Sequence, residues 1–329
     1  MRNKVSILVP IYGVEKYIEQ CAVSLMEQTY ENIEYIFVND CTKDNSINIL
    51  REVLERYPQR KCQVQIITHE RNRGLAAARN TAFDASSGDY LWHVDSDDWI
   101  SQDAVEKLVN KALNEKADII IFDYYNVRRN GTSRSMINYK NRESYISDVL
   151  LHSIAGSVWN KFFNADFYRN SGVRSIEGLN HGEDYAIIPR LLHKAQNISV
   201  YKEALYYYNL TNQGSYTRNI SISSIINVHH AYKINVDYFI TAKDKDKYSS
   251  ILDILPYRSM LALIKRADKR HYERIVHLYP ECTENNCECL SKIDRIILML
   301  LKYEKYNFLS IIIKTYKRLS KYYSPNSYN

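Results

Sequence analysis

Five short apolar runs, each set apart from the next by a stretch of helical spacing, restrict this chain more than any other feature. Residues 5–9 (VSILV), 33–38 (IEYIFV), 64–67 (VQII), 90–94 (YLWHV) and 119–122 (IIIF) are rich in β-branched and aromatic residues, the composition that suits buried strands. Between them, Tyr17, Ile18, Cys21, Ala22 and Leu25 recur at helical spacing, as do Ile47, Leu50, Val53 and Leu54. Asp44 or Asn45 can cap the second of these helices. Residues 74–85 (GLAAARNTAFDA) form an alanine-rich helix that can approach a sheet closely. Strand and helix alternate, so the first half is expected to be an α/β domain with a mostly parallel central sheet and helices on both faces.

Polar residues fall where those strands end. Pro10 and Tyr12 follow the first, Asp40 the second, Arg71 the third, and Asp95 and Asp97 the fourth. Open α/β sheets bind ligands beyond the carboxyl ends of their strands. A tyrosine ring can stack on a base, a carboxylate can accept from a ring N–H, and an arginine can pair with a phosphate or a carbonyl. Each residue alone also has an ordinary reading as a packing tyrosine, a turn aspartate or a surface arginine. Arg79 lies in a helix that should be buried, so it is expected to pair with a carboxylate.

Asp95, Asp97 and Asp98 put three carboxylates into four positions directly after a buried strand. Like charges so close repel, and a hard divalent cation would reverse that cost. The turn therefore reads either as a Mg2+ or Mn2+ site bridging to a substrate diphosphate, or as a solvated acidic cap on the helix that begins near Ser101. Glu183-Asp184 is a second acidic pair. It reads either as a proton acceptor for an attacking hydroxyl or as a helix N-terminal pair facing water. Trp159 could stack on an apolar face of a ligand, with Asn160 and Lys161 donating hydrogen bonds, or could lie in the core. His181 reads as a surface histidine.

Several classes are disfavoured. The formal net charge of +6 is too mild to signal a nucleic-acid binder. The first strand leads into Pro10-Ile11-Tyr12-Gly13, without the glycine spacing of a dinucleotide site. No signal peptide is expected at the start, and the longest apolar run, residues 296–301, is too short to span a bilayer. Six cysteines are present; Cys282, Cys287 and Cys289 cluster without the spacing of a zinc site, so reduced thiols in a cytoplasmic protein are expected. From about Ser221 the pattern is helical throughout. Lys292, Arg295, Lys302, Lys305, Lys314, Lys317, Arg318 and Lys321 alternate there with Ile, Leu, Phe and Tyr. Such a stretch suits an anionic membrane surface, a solvated bundle face or a partner. Tyrosine is abundant, with 29 residues, many in this second half.

The segments VSILVPIYG, EYIFVNDCTKDNS, NRGLAAARN and DYLWHVDSDDW, in that order, resemble the four blocks of inverting family 2 glycosyltransferases with the GT-A (Rossmann-like) fold. The resemblance covers about the first 125 residues. It implies a nucleotide-sugar-binding domain over 1–220, with a nucleotide half (1–125) and an acceptor half (126–220), followed by a C-terminal helical region (221–329). By it, Pro10, Tyr12 and Asp40 hold the base, Arg71 sits near it, Asp95 contacts the ribose side and Asp97 binds Mn2+ or Mg2+ on the diphosphate. Asp184 becomes the base and Glu183 its neighbour; Trp159 and Lys161 face the acceptor. The implied donor is a UDP-sugar, and the acceptor a glycan or lipid-linked sugar in cell-surface polysaccharide synthesis. The family often has a Gly-Ser pair near the diphosphate, where this chain has Gly214-Ser215. The alternative is a non-catalytic nucleotide-sugar-binding subunit. The chain departs from the family pattern at Gly13, where Asn is usual, and at Cys41, where Gly is usual; a positive φ at Cys41 would be strained.

Overall fold

The computed structural model describes residues 3–212, 220–284 and 290–323. The first four apolar runs become β1 (Val5–Ile11), β2 (Ile33–Asn39), β3 (Val64–Thr68) and β4 (Tyr90–His93), with α1 (Ile18–Met26), α2 (Ser46–Arg56) and α3 (Leu75–Ala85) between them. They run parallel in the order β3-β2-β1-β4. The chain thus steps outward from β1 on one side and returns on the other. That reversal opens a crevice beyond the carboxyl ends of β1 and β4, where Tyr12 and Gly13 leave one strand and Asp95 to Asp98 leave the other.

Pro10 does not stop β1, as the sequence suggests, but pairs in register with Val38 inside it. The reason lies in the alternation of a parallel strand. The Leu8 carbonyl accepts from Val94 N at 3.0 Å, so Leu8 faces β4, and Pro10, two residues on, faces the same way. β4 has ended by then, so the missing N–H of proline costs no sheet hydrogen bond.

The chain continues through β5 (Trp99–Ile100), α4 (Ala104–Glu115), β6 (Ile119–Arg128), β7 (Gly131–Ser135), α5 (Arg142–Leu150), β8 (Lys161–Asn164), α6 (Ala165–Asn170), α7 (Glu183–Lys194) and β9 (Ile198–Asn209). β8 lies antiparallel between β4 and β6 and joins the first parallel set to the parallel pair β6 and β9. β6 and β7 form a hairpin closing at Arg128 and Gly131, in a segment whose sequence reads as irregular. The alanines of α3 work as expected: Ala78 and Ala82 pack on Leu8, Ile36 and Val38, with no side chain long enough to lift the helix off the sheet.

The loop ahead of α3 hangs on Asp40. Its carboxylate accepts from His69 Nδ1 at 2.7 Å, from Arg73 N at 2.8 Å and from Gly74 N at 2.7 Å. Gly74 has φ 89° and ψ 167°, a region that only glycine occupies readily. A Cβ there would lie 2.2 Å from Asn180 Oδ1.

By Cα proximity the chain divides into two compact units, Met1–Ile146 with Gly156–Ser215, and Ser147–Ala155 with Tyr216–Asn329. The first holds the sheet. The second carries α8 (Ile222–Thr241), α9 (Ser249–Arg266), α10 (Tyr272–Leu278), α11 (Glu281–Glu284), α12 (Lys292–Lys302) and α13 (Tyr306–Tyr323). Tyrosines supply much of its core: Tyr232, Tyr248, Tyr257, Tyr272 and Tyr279 are all buried. Tyr248 packs on Phe239, and Tyr279 meets His229 edge-on. No helix among the described residues is long and apolar enough to cross a membrane.

Gly74→Ala is expected to lower unfolding free energy by about 1–3 kcal/mol, the usual cost of a forced backbone conformation of this kind. Urea titration followed by circular dichroism measures it, and an unchanged midpoint would show that the loop relaxes freely.

Candidate active site

The acidic turn after β4 has three carboxylates in three different situations. Asp98 is buried. Its Oδ2 accepts from Tyr206 Oη at 2.7 Å and its Oδ1 from Asn209 N at 2.7 Å. Burial, with the charges of Asp97 and Asp95 added to it, holds its carboxyl well above the usual range. It ties the turn to β9 and is spent on structure. Asp97 is half-buried, and its Oδ2 accepts from Asn212 Nδ2 at 2.8 Å. Burial and the charge of Asp95 push it up to about 6. Asp95 donates its backbone N–H to Tyr206 Oη at 3.1 Å, and its side chain turns to Arg79.

Arg79 is the hub. Its side chain is 2 % exposed. Nη2 donates to Asp95 Oδ1 at 3.0 Å; Nη1 donates to Glu183 Oε1 at 3.0 Å and to Asp184 Oδ1 at 2.5 Å. The arginine on α3 therefore pairs with three carboxylates from two distant segments, where the sequence suggests one. The acidic pair does open α7, behind Gly182 at φ 83°, but it turns onto a buried guanidinium instead of water. Asp184 Oδ2 also accepts from Val158 N at 2.9 Å.

One cation cannot neutralise three anions, so the cluster keeps an excess of negative charge in a desolvated place. Burial and the charge of Asp184 push Glu183 up to about 7. Burial likewise raises Asp184, against the pull of Arg79. Asp184 keeps 20 % of its side-chain surface exposed and Asp95 keeps 24 %, so both edges are open to a ligand.

The structure corrects several expectations. Trp159 is 5 % exposed, stacked between Tyr206 at 4.6 Å and Tyr208 at 5.0 Å, with Tyr124 edge-on at 4.7 Å. No face remains for a sugar. Lys161 is fully buried, and its Nζ donates to Ser157 O and to Asn160 Oδ1 at 2.6 and 2.8 Å. Burial pushes it down to about 7, and it braces the backbone beside Asp184 instead of facing an acceptor. Asp40 is 2 % exposed with both oxygens engaged inside the protein. It shapes the loop before α3 and has no free edge for a base. His181 is buried, not on the surface. Cys41 does take the positive φ feared for it, 57°, next to Asp40.

Tyr12 is 47 % exposed at the mouth of the crevice, whereas Pro10 beneath it is buried in β1. Arg71 is exposed on the loop after β3. Gly214-Ser215-Tyr216-Thr217 lie outside the described residues, as do Cys287 and Cys289. Tyr206, Asn209 and Asn212, which hold the acidic turn from β9 and just beyond it, are residues that sequence reasoning passed over. Residues 204–209 (ALYYYN) show no alternation that would tell which tyrosine points inward.

Comparison with known proteins places this geometry. Residues 6–167 match the family model described as Glycosyl transferase family 2. EpsH of Bacillus subtilis is 27% identical over 98% of each chain. The poly(ribitol-phosphate) beta-glucosyltransferase of Bacillus spizizenii is 29% identical over 65% of this chain and 33% of its own length. Among solved structures, Staphylococcus aureus TarS 1-349 in complex with UDP-GlcNAc superposes with a TM-score of 0.63 at 18% identity, covering 96% of this chain and 92% of that one. The alternating sheet, the crevice at its reversal and these relatives agree: residues 6–167 are a glycosyl transferase family 2 domain, and the chain has the GT-A fold.

Proposed function

We propose that this glycosyltransferase acts on a UDP-sugar by single displacement with inversion. On this reading a hydroxyl of a glycan or lipid-linked acceptor attacks the anomeric carbon, and the nucleoside diphosphate leaves from the opposite side. Residues 1–220 are the transferase domain, and the work is done on the cytoplasmic side in cell-surface polysaccharide synthesis. The observation that carries the reading is Arg79, which joins the acidic turn after β4 to Asp184 at the start of α7. Support for the donor comes from the TarS complex with UDP-GlcNAc. Support for the product comes from the poly(ribitol-phosphate) relative.

Asp184 is the proposed base. Arg79 and Val158 N hold its carboxylate in place, and its exposed edge can take the proton of the acceptor hydroxyl. Glu183 shares the negative field and sets the pH at which the pair is ionised. Tyr12 offers a ring to the base, Arg71 a charge to the donor, and Asp95 an acceptor to the ribose. A divalent cation fits the donor set near Asp97. Among the described residues, Asp95 Oδ2 and Asp97 Oδ1 accept no hydrogen bond from another residue, and burial with the charge of Asp95 raises Asp97 in a way that a cation would relieve. No cluster of three ligating side chains exists among the described residues. That suits Mg2+ or Mn2+, which often take one or two carboxylates and fill their shell with phosphate oxygens and water. When bound, such an ion would supply charge stabilisation to the departing diphosphate. The Mannosyltransferase PcManGT from Pyrobaculum calidifontis, solved in complex with GDP-Man and Mn2+, is a structural neighbour with a TM-score of 0.55.

The reading is tested first by incubating the chain with a panel of UDP-sugars and Mn2+ and following sugar transfer to glycan and lipid-linked acceptors. Donor binding without transfer to any acceptor would favour the non-catalytic alternative. Asp184→Asn should lower turnover by roughly 10²–10⁴ with donor affinity retained. Wild-type turnover should fall on the acid side of the profile, because burial raises Asp184 above the usual carboxylate range and its protonation removes the proton acceptor. A pH–rate profile with no acid limb contradicts the assignment. Asp97→Ala should abolish the Mn2+-dependent part of donor binding in calorimetry; donor affinity that responds to Mn2+ as in the wild type would exclude Asp97 as a ligand.

A further inference from the structure

The mild net charge of the chain hides a sharp asymmetry. Residues 290–323, which span α12 and α13, carry eight Lys and Arg side chains against only Asp294 and Glu304. Their balance of +6 equals that of the entire protein. Asp294 is moreover buried and neutralised from α9, by Lys265 at 2.5 Å and Arg258 at 3.4 Å. It therefore does nothing to offset the surface cations.

On α12 the exposed residues recur three or four apart: Lys292, Arg295, Ile296, Met299, Lys302 and Tyr303. That spacing puts them on one stripe, opposite the stripe of Ile297, Leu300 and Leu301 that faces inward. On α13, which packs against α12, Phe308 and Ile311 form a second exposed stripe flanked by Lys305 and Lys314. These side chains are not grazing the surface. Met299 is 50 % exposed, Phe308 58 %, Ile311 61 % and Tyr303 64 %.

We infer that this pair of helices docks the enzyme on an anionic lipid bilayer. Apolar side chains among cations on each exposed stripe match the boundary between acyl chains and acidic headgroups, where each basic residue gains electrostatically and the apolar ones leave water. Two other occupants fit less well. A second copy of the chain would bring the same positive surface against itself. A soluble polyanion would satisfy the lysines and leave Met299, Phe308 and Ile311 in water. The inference does not depend on the identity of the donor sugar.

The test is co-sedimentation of the full chain with vesicles of phosphatidylcholine alone or mixed with phosphatidylglycerol, at low and high salt. Binding should require phosphatidylglycerol. It should weaken by more than about tenfold in high salt, since each cation near such a surface is worth about a factor of five. The double variant M299E/I311E should lose binding while its melting curve stays that of the wild type. Should that variant fold poorly, K302E/K305E, which alters only exposed charges, should weaken binding by a similar factor. Any of three results would overturn the inference: no preference for anionic vesicles, undiminished vesicle binding by the folded variants, or a dimer in sedimentation that M299E/I311E converts to monomer.

Discussion

The guanidinium of Arg79 joins two of the acidic segments of the first unit, the turn after β4 and the start of α7. It is buried, it comes from an alanine-rich helix, and it is met by carboxylates from the turn after β4 and from α7. A buried charge stripped of its partners costs several kcal/mol, so the arrangement is strongly conditional. With Arg79 present, the acidic turn and the acidic pair can share a desolvated neighbourhood. Without it, three carboxylates would face one another across the same space. Burial, added to the charge of Asp184, lifts Glu183 toward neutrality.

A second layer of polar residues fixes the loops around that centre. Asp98 spends its carboxylate on Tyr206 and on the backbone of Asn209, so the turn that presents Asp97 is fastened to β9. Asp40 spends its own on His69 and on two consecutive amides ahead of α3. In both cases a residue whose type suggests ligand contact is consumed by backbone satisfaction, because a tight loop leaves N–H groups that must be paired.

Much of this was legible from residue order. Strand runs and helical spacing gave the parallel sheet and its crevice, since those patterns follow from periods that the chain shows directly. The two acidic clusters were visible as charges where charge is costly. What stayed hidden depended on side-chain direction and depth. Trp159 and Lys161 have the right chemistry for a sugar, but burial is set by neighbours such as Tyr206 and Tyr208 that lie more than forty residues away. Asp40 has the right chemistry for a base, yet its partners come from the loop after β3. The antiparallel β8 is only four residues long, too short for its period to speak. The β6–β7 hairpin turns through Arg129 and Asn130, with Gly131 already in β7, so Asn130-Gly131 does not occupy the central positions that make that pair a hairpin signal.

The central claim is that a single arginine assembles the catalytic carboxylates, and Arg79→Lys tests it most directly. Lysine keeps the charge but lacks the planar fork that reaches three partners at once. Sugar transfer at saturating donor, measured alongside thermal unfolding, is expected to fall by roughly 10²–10⁴ while the protein still melts cooperatively. A folded Arg79→Lys enzyme that transfers sugar at the wild-type rate would contradict the account.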